Sequence, residues 1–187
     1  MKLKFIALSV MAITTSVAQA ADPEPTPAPT TVNGGTVHFT GELVNAACAV
    51  SSDSENQTVE LGQYRTSRLA VAGDKTTPVP FQIKLVDCDP AVQATAAVAF
   101  YGQTVSQNAN LLSVSAGGTN ATAAKNVGIE VSDDASNILG FSGADFSTTK
   151  KLNEGTNVLN FTARYVATGA STPGIANADS TFVVKYE

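Results

Sequence analysis

Tryptophan is absent from this sequence, histidine occurs once, at His38, and cysteine only twice, at Cys48 and Cys88. One imidazole and two thiols fall short of the four ligands of a structural zinc site, so metal binding is the weak alternative for the cysteine pair. Charge is sparse as well: Asp, Glu, Lys and Arg make up 14% of the residues, and the net charge is −5. No cluster of Lys and Arg stands out, which argues against nucleic acid as a partner, because phosphate binding needs concentrated positive charge. Catalytic constellations are also missing. Gly140-Phe-Ser-Gly143 lacks the spacing of a nucleophile elbow, and no Ser, His and Asp set accompanies it. Asp53-Ser-Glu55 and Asp133-Asp134 lack the spacing of a calcium loop and read as solvated turns. Asp87 and Asp89, on either side of Cys88, read as exposed turn residues rather than paired catalytic carboxylates. The sequence therefore predicts no enzyme, no cofactor and no metal. The lack of tryptophan weighs against a sugar-binding surface without removing it.

What is present begins with a secretory leader. Lys2 and Lys4 supply a positive start, Phe5 to Ile13 an apolar run too short to span a bilayer, and Ala18-Gln19-Ala20 a small-residue cleavage site. Removing these 20 of 187 residues leaves 167, with 9 basic and 16 acidic side chains and a net charge of −7. A chain of that size buries one good core. Export places Cys48 and Cys88 in oxidising surroundings, which favours a disulfide over two free thiols. Asp22 to Pro29 alternates proline with small or acidic residues and predicts an extended tether without a ladder. Thr30 to Phe39 follows as an apparently surplus strand. Its Gly34-Gly35 pair weakens it as an interior strand and would ordinarily mark a turn, so the segment reads as an arm suited to pairing with an open sheet edge.

Period-2 alternation dominates the rest. Phe81, Ile83 and Leu85 alternate with Gln82 and Lys84; Val127, Ile129 and Val131 repeat the pattern. Leu159, Phe161, Ala163 and Tyr165 face one way, and Asn160, Thr162 and Arg164 the other. Phe182, Val184 and Tyr186 alternate with Val183 and Lys185 to the chain end. Gly73-Asp74, Asp89-Pro90, Gly117-Gly118, Asp133-Asp134, Asn153-Glu154-Gly155 and Pro173-Gly174 separate these runs as turns. Ala91 to Ala99 is the nearest approach to a helix, but its Val and Thr content predicts a strand or a short helical turn leading into one. Many short strands and one disulfide predict an all-β sandwich. Its final strand, Ala178 to Glu187, has no closing hairpin after it and must be flanked on both sides or leave an edge open.

Val32-Asn-Gly-Gly-Thr-Val-His-Phe39, Leu43-Val-Asn-Ala-Ala-Cys-Ala-Val50, Leu61-Gly-Gln63, Asp87-Cys-Asp89, Phe161-Thr-Ala-Arg-Tyr165 and Ala176-Asn-Ala-Asp-Ser-Thr-Phe-Val-Val-Lys-Tyr-Glu187 together resemble the major subunit of type 1 fimbriae, over nearly all of the chain from Thr30 onward. The resemblance implies an incomplete immunoglobulin-like β-sandwich, completed by a donated strand. It implies residues 1–20 as signal peptide, 21–39 as tether and donor arm, and 40–187 as the pilin domain. Implied partners are identical subunits in a homopolymer, a periplasmic chaperone that lends a strand, an outer-membrane usher where the next subunit's arm replaces it, and minor tip subunits. Gly174 and Tyr186 occupy the family's C-terminal assembly positions, which carries the chaperone-contacting strand onto Phe182, Val184 and Tyr186. On the donor side the matching parity is Thr30, Val32, Gly34 and Thr36, with glycine where the receiving pocket is too shallow for a Cβ. The expected role is the structural shaft subunit of an extracellular fimbria that supports adhesion. A minor subunit or adaptor, and an exported monomeric sugar-binding β module, are the alternatives.

Overall fold

A computed structural model describes residues 28–117 and 121–187. The expected leader, most of the tether and part of the Gly117-Gly118 turn lie outside the described residues. The chain divides into two units at Gly41–Glu42.

In the first unit, residues 28–41 hold no helix or strand and are exposed throughout. The backbone N–H of Gly35 donates to Asn33 Oδ1 at 3.2 Å, and Gly35 sits at φ +118°, a conformation that glycine adopts without penalty.

Among its described residues the second unit contains ten strands: β1 (Ala49–Val50), β2 (Val79–Cys88), β3 (Thr95–Gly102), β4 (Thr104–Val105), β5 (Asn108–Ser113), β6 (Val127–Asp133), β7 (Ile138–Leu139), β8 (Lys150–Lys151), β9 (Gly155–Ala167) and β10 (Ser180–Tyr186). One helical turn, Ser52–Glu55, and a 3₁₀ turn, Thr66–Arg68, interrupt them. Every ladder is antiparallel. One sheet runs β1-β2-β9-β6-β5-β4 with β7 beside β6, and the other runs β10-β3-β8.

Alternation explains which residues face inward. Ile83 and Leu85 from β2, Leu159, Phe161 and Ala163 from β9, and Ile129 and Val131 from β6 meet Ala96, Val98 and Phe100 from β3 in one core. Phe161 stacks on Phe81 at 5.5 Å between centroids and meets Phe100 edge-on at 5.4 Å. Pro80 is tolerated in β2 because β1 covers only Leu85 and Val86, leaving one side of the strand uncovered where proline sits.

Strand β3 departs from alternation: Ala96 to Phe100 are all buried. Its edge away from β10 is bonded by Ser147, whose N–H donates to the Val98 carbonyl and whose hydroxyl accepts from the Val98 N–H, and by β8. Both faces being covered, alanine fits where larger residues would not.

Asp133 corrects the expectation of a solvated turn at Asp133-Asp134. Asp134 is exposed, but Asp133 is 4% exposed. Its carboxylate accepts from the backbone N–H groups of Asn137 and Thr148, the Asn137 amide and the Thr148 hydroxyl, at 2.8–3.1 Å. Burial pushes its pKa up, but the bonds from Thr148 and Asn137 outweigh it and hold the carboxyl below its ordinary 3.8. A lowered folded value means that Asp133 adds stability above the ordinary value and loses it as pH falls through the folded one. Asp133→Asn is therefore expected to lose about 1.5–3 kcal/mol at neutral pH, the range for bonds to a charged group. Urea midpoints of the two proteins should converge as the solution is acidified below the ordinary carboxylate range; a constant gap would contradict this.

Glu130, 5% exposed, is also a structured carboxylate. Lys75 Nζ reaches it at 2.9 Å and Arg164 at 2.6 Å, tying a loop and β9 to β6 across the face of the sheet away from the core.

Candidate functional site

Strand β10 is laddered to β3, from Ser180↔Gly102 to Tyr186↔Ala96, and among the described residues its other edge has no strand partner. Phe182, Val184 and Tyr186 share the face that packs against the main core, and each remains half-buried rather than buried. The core therefore continues to an edge where its last row is incompletely covered. Unpaired N–H and C=O groups on such an edge favour an added strand.

Both ends of β10 are held firmly while its edge stays open. Ahead of it, Ser115 and Asn177 exchange two backbone hydrogen bonds, at 2.7 and 3.1 Å, and the Tyr165 hydroxyl donates to the Ala176 carbonyl at 2.9 Å. At its end, the Glu187 carbonyl accepts from the backbone N–H groups of Ala94 and Thr95 and from the Thr95 hydroxyl, at 2.9–3.0 Å. The Tyr186 hydroxyl donates to the Cys48 carbonyl at 3.2 Å, bridging β10 to the segment that leads into β1. Burial raises the Tyr186 pKa, so the phenol keeps the proton it donates.

Cys48 and Cys88 form a disulfide with Cα atoms 4.1 Å apart. It joins the entry to β1 with the end of β2, and the Asp89 N–H adds a bond to the Ala47 carbonyl at 2.8 Å. Asp87, at φ 52°, and a register shift between Leu85 and Cys88 turn the strand so that the cysteine points inward. The first strand is thus stapled to the sandwich at the segment that accepts the Tyr186 hydroxyl.

The structure brings Phe182, Val184 and Tyr186 onto one face, but places Gly174 elsewhere. Gly174 lies ahead of β10 and packs on the backbone of residues 122–124; a Cβ there would lie 2.7 Å from the Thr122 carbonyl oxygen. Glycine at that position is required by this close approach, next to the bridge between Ala123 and Ile175. Thr30, Val32, Gly34 and Thr36 all lie exposed in the first unit. His38 is exposed too, and no group of His, Cys, Asp and Glu among the described residues could hold a metal ion. Three surface cavities among the described residues, one of about 670 Å³ lined by residues such as Asn110, Asn137 and Asp145, draw no lining residue from β10.

The Tyr186–Cys48 bond and the double-sided burial of β3 escaped sequence reasoning. The first joins residues 138 apart in sequence and has no local signal. The second was foreshadowed only by the small side chains of Ala96, Ala97 and Ala99.

A family model described as fimbrial protein matches residues 37–187. The type-1 fimbrial protein A chain of Salmonella typhi is 54% identical over 186 residues, covering 100% of this chain and 98% of the relative. Among solved structures, a chaperone-usher pilus is similar with a TM-score of 0.69 and 29% identity, covering 86% of this chain and 100% of the other. The P pilus rod subunit PapA is similar with a TM-score of 0.64 and 28% identity, covering 76% and 100% respectively.

Proposed function

Because this chain belongs to the fimbrial protein family and is a structural subunit of a type 1 fimbria, we propose that it is the major shaft subunit and that it polymerises by donor-strand exchange. Thr30, Val32, Gly34 and Thr36 of one subunit enter the open side of the next beside β10, and their backbone completes the β10-β3-β8 sheet. Phe182, Val184 and Tyr186 form the floor that this strand covers. Before assembly the same edge is filled by a strand lent by a periplasmic chaperone, and an outer-membrane usher is where one strand replaces the other. Minor tip subunits end the filament. The subunit is exported through the periplasm to the cell surface and carries no catalytic residue.

One observation carries this reading: β10 has a half-buried apolar face continuous with the core and, among the described residues, one unpaired edge. An edge of that kind aggregates indiscriminately unless something specific covers it. The exposed arm supplies strand-forming residues in a segment that has no strand partner among the described residues. Burying the apolar row contributes about 1.5–3 kcal/mol for each large side chain taken fully out of water, and main-chain bonds fix direction and register.

Electron microscopy of cells producing the chain tests the proposal. Long filaments are expected with the full sequence and none after deletion of Thr30 to Phe39. Filaments that persist without those residues would refute the assignment of the arm.

A further inference from the structure

The arm carries a reactive sequence that the assembly reading does not use. Asn33 is followed by Gly34, and it is the one asparagine in the chain with glycine after it; each of the others precedes a residue bearing a Cβ. A neighbouring Cβ hinders approach of the next peptide nitrogen to the asparagine side chain, and glycine removes that hindrance and frees the backbone. Asn33 is exposed, and a Cβ built on Gly34 would meet nothing within 4 Å. The Gly35 N–H donates to Asn33 Oδ1 at 3.2 Å, which folds the side chain back over the Gly34 peptide unit and draws electron density from Cγ. Among the described residues the Gly34 N–H has no hydrogen-bond partner.

We propose that Asn33-Gly34 is a site of succinimide formation that limits the lifetime of the arm in unassembled subunits. The Gly34 nitrogen attacks Asn33 Cγ, forming a new C–N bond. The bond from Cγ to Nδ2 breaks, and the side-chain nitrogen leaves as ammonia with the proton lost from Gly34. Water then opens the five-membered imide at either carbonyl. Opening at Cγ leaves aspartate; opening at the main-chain carbonyl leaves isoaspartate, in which the backbone runs through Cβ and Cγ. The net change is loss of ammonia and gain of water, with no oxidant or reductant.

The consequence rests on the donor-strand reading. Side chains on a strand alternate with period 2, so an extra main-chain atom between Val32 and Gly34 puts the two out of phase. An isoaspartyl arm cannot place Val32, Gly34 and Thr36 on one face. Pairing in the filament has the opposite effect: a strand held in a ladder cannot fold the Asn33 side chain onto the next nitrogen. Assembly protects Asn33, and delay consumes it.

The test incubates purified, unassembled mature subunit and isolated filaments side by side at mildly alkaline pH. The peptide containing Asn33 is mapped by mass spectrometry with enzymatic detection of isoaspartate. Isoaspartate is expected to accumulate at position 33 in the free subunit and to stay absent from filaments. Incorporation of aged subunit into new filaments should fall in proportion to the isoaspartyl fraction. Asn33→Gln, which cannot close the five-membered ring as readily, should keep its incorporation through the same incubation. An unmodified Asn33 in the free subunit, equal modification in both states, or equal loss of incorporation by wild type and Asn33→Gln would overturn the proposal. Those failures are separate from failure of the assembly reading, which shows as filaments formed by the arm-deleted chain.

Discussion

Replacing Gly34 with leucine is expected to cut incorporation into filaments about 10- to 100-fold while leaving the sandwich domain as stable as before. The free chain has no objection to the substitution: Gly34 is not among the glycines at positive φ, and a Cβ there meets no atom within 4 Å. Whatever is lost is therefore lost in the receiving groove. Overpacking a fitted site costs about 1–3 kcal/mol, and each 1.4 kcal/mol is a factor of ten in an equilibrium. Thr31→Leu provides the control, since Thr31 lies on the opposite parity and its side chain points away from the groove in the proposed pairing. Filament yield by quantitative microscopy, with urea unfolding of each monomer alongside, separates a failed exchange from a failed fold. Normal yield for Gly34→Leu would move the shallow pocket to another arm residue.

Removing the disulfide is the second large effect. With Cys48 and Cys88 both changed to alanine, a cross-link across 40 residues of sequence is lost. The chain-entropy account puts this at about 3–4 kcal/mol. In a domain of this size each kcal/mol moves the melting temperature by about 2–4 °C, so a fall of roughly 6–16 °C is expected. The consequence reaches the open edge, because the Cys48 carbonyl accepts the Tyr186 hydroxyl and the Ala47 carbonyl accepts the Asp89 N–H. Loosening the entry to β1 loosens one wall of the groove. Filament yield should therefore fall further than the yield of folded monomer, and parallel losses would place the cross-link outside assembly.

Sequence alone made much of this legible because half-buried strands write their orientation in period 2. Ile83 and Leu85, Leu159 and Phe161, and the β10 row Phe182, Val184 and Tyr186 all read correctly by that rule. The rule fails where both faces are covered, as at Ala96 to Phe100, which is why Ala91 to Ala99 reads as a strand or a short helical turn leading into one. It also fails for buried polar groups whose partners are distant. Nothing adjacent to Asp133 reveals that Thr148 satisfies it from fifteen residues away. Arg164 reads as an outward side chain, and so it is, but its ion pair with Glu130, a carboxylate that Lys75 also reaches, depends on a strand and a loop far off in sequence. Gly174 shows a further limit. Its position was legible by resemblance, whereas the backbone of residues 122–124 that leaves no space for a Cβ becomes visible only in three dimensions.

The open edge of β10 ties these observations together, and its completion by another subunit's arm is the central claim. The direct measurement is thermal unfolding of the domain lacking residues 21–39, alone and with a synthetic peptide spanning Thr30 to Phe39. The account predicts a low melting temperature for the domain alone and a saturable rise on adding peptide, abolished when the peptide carries leucine at position 34. A domain that melts at the same high temperature with and without the peptide would contradict it.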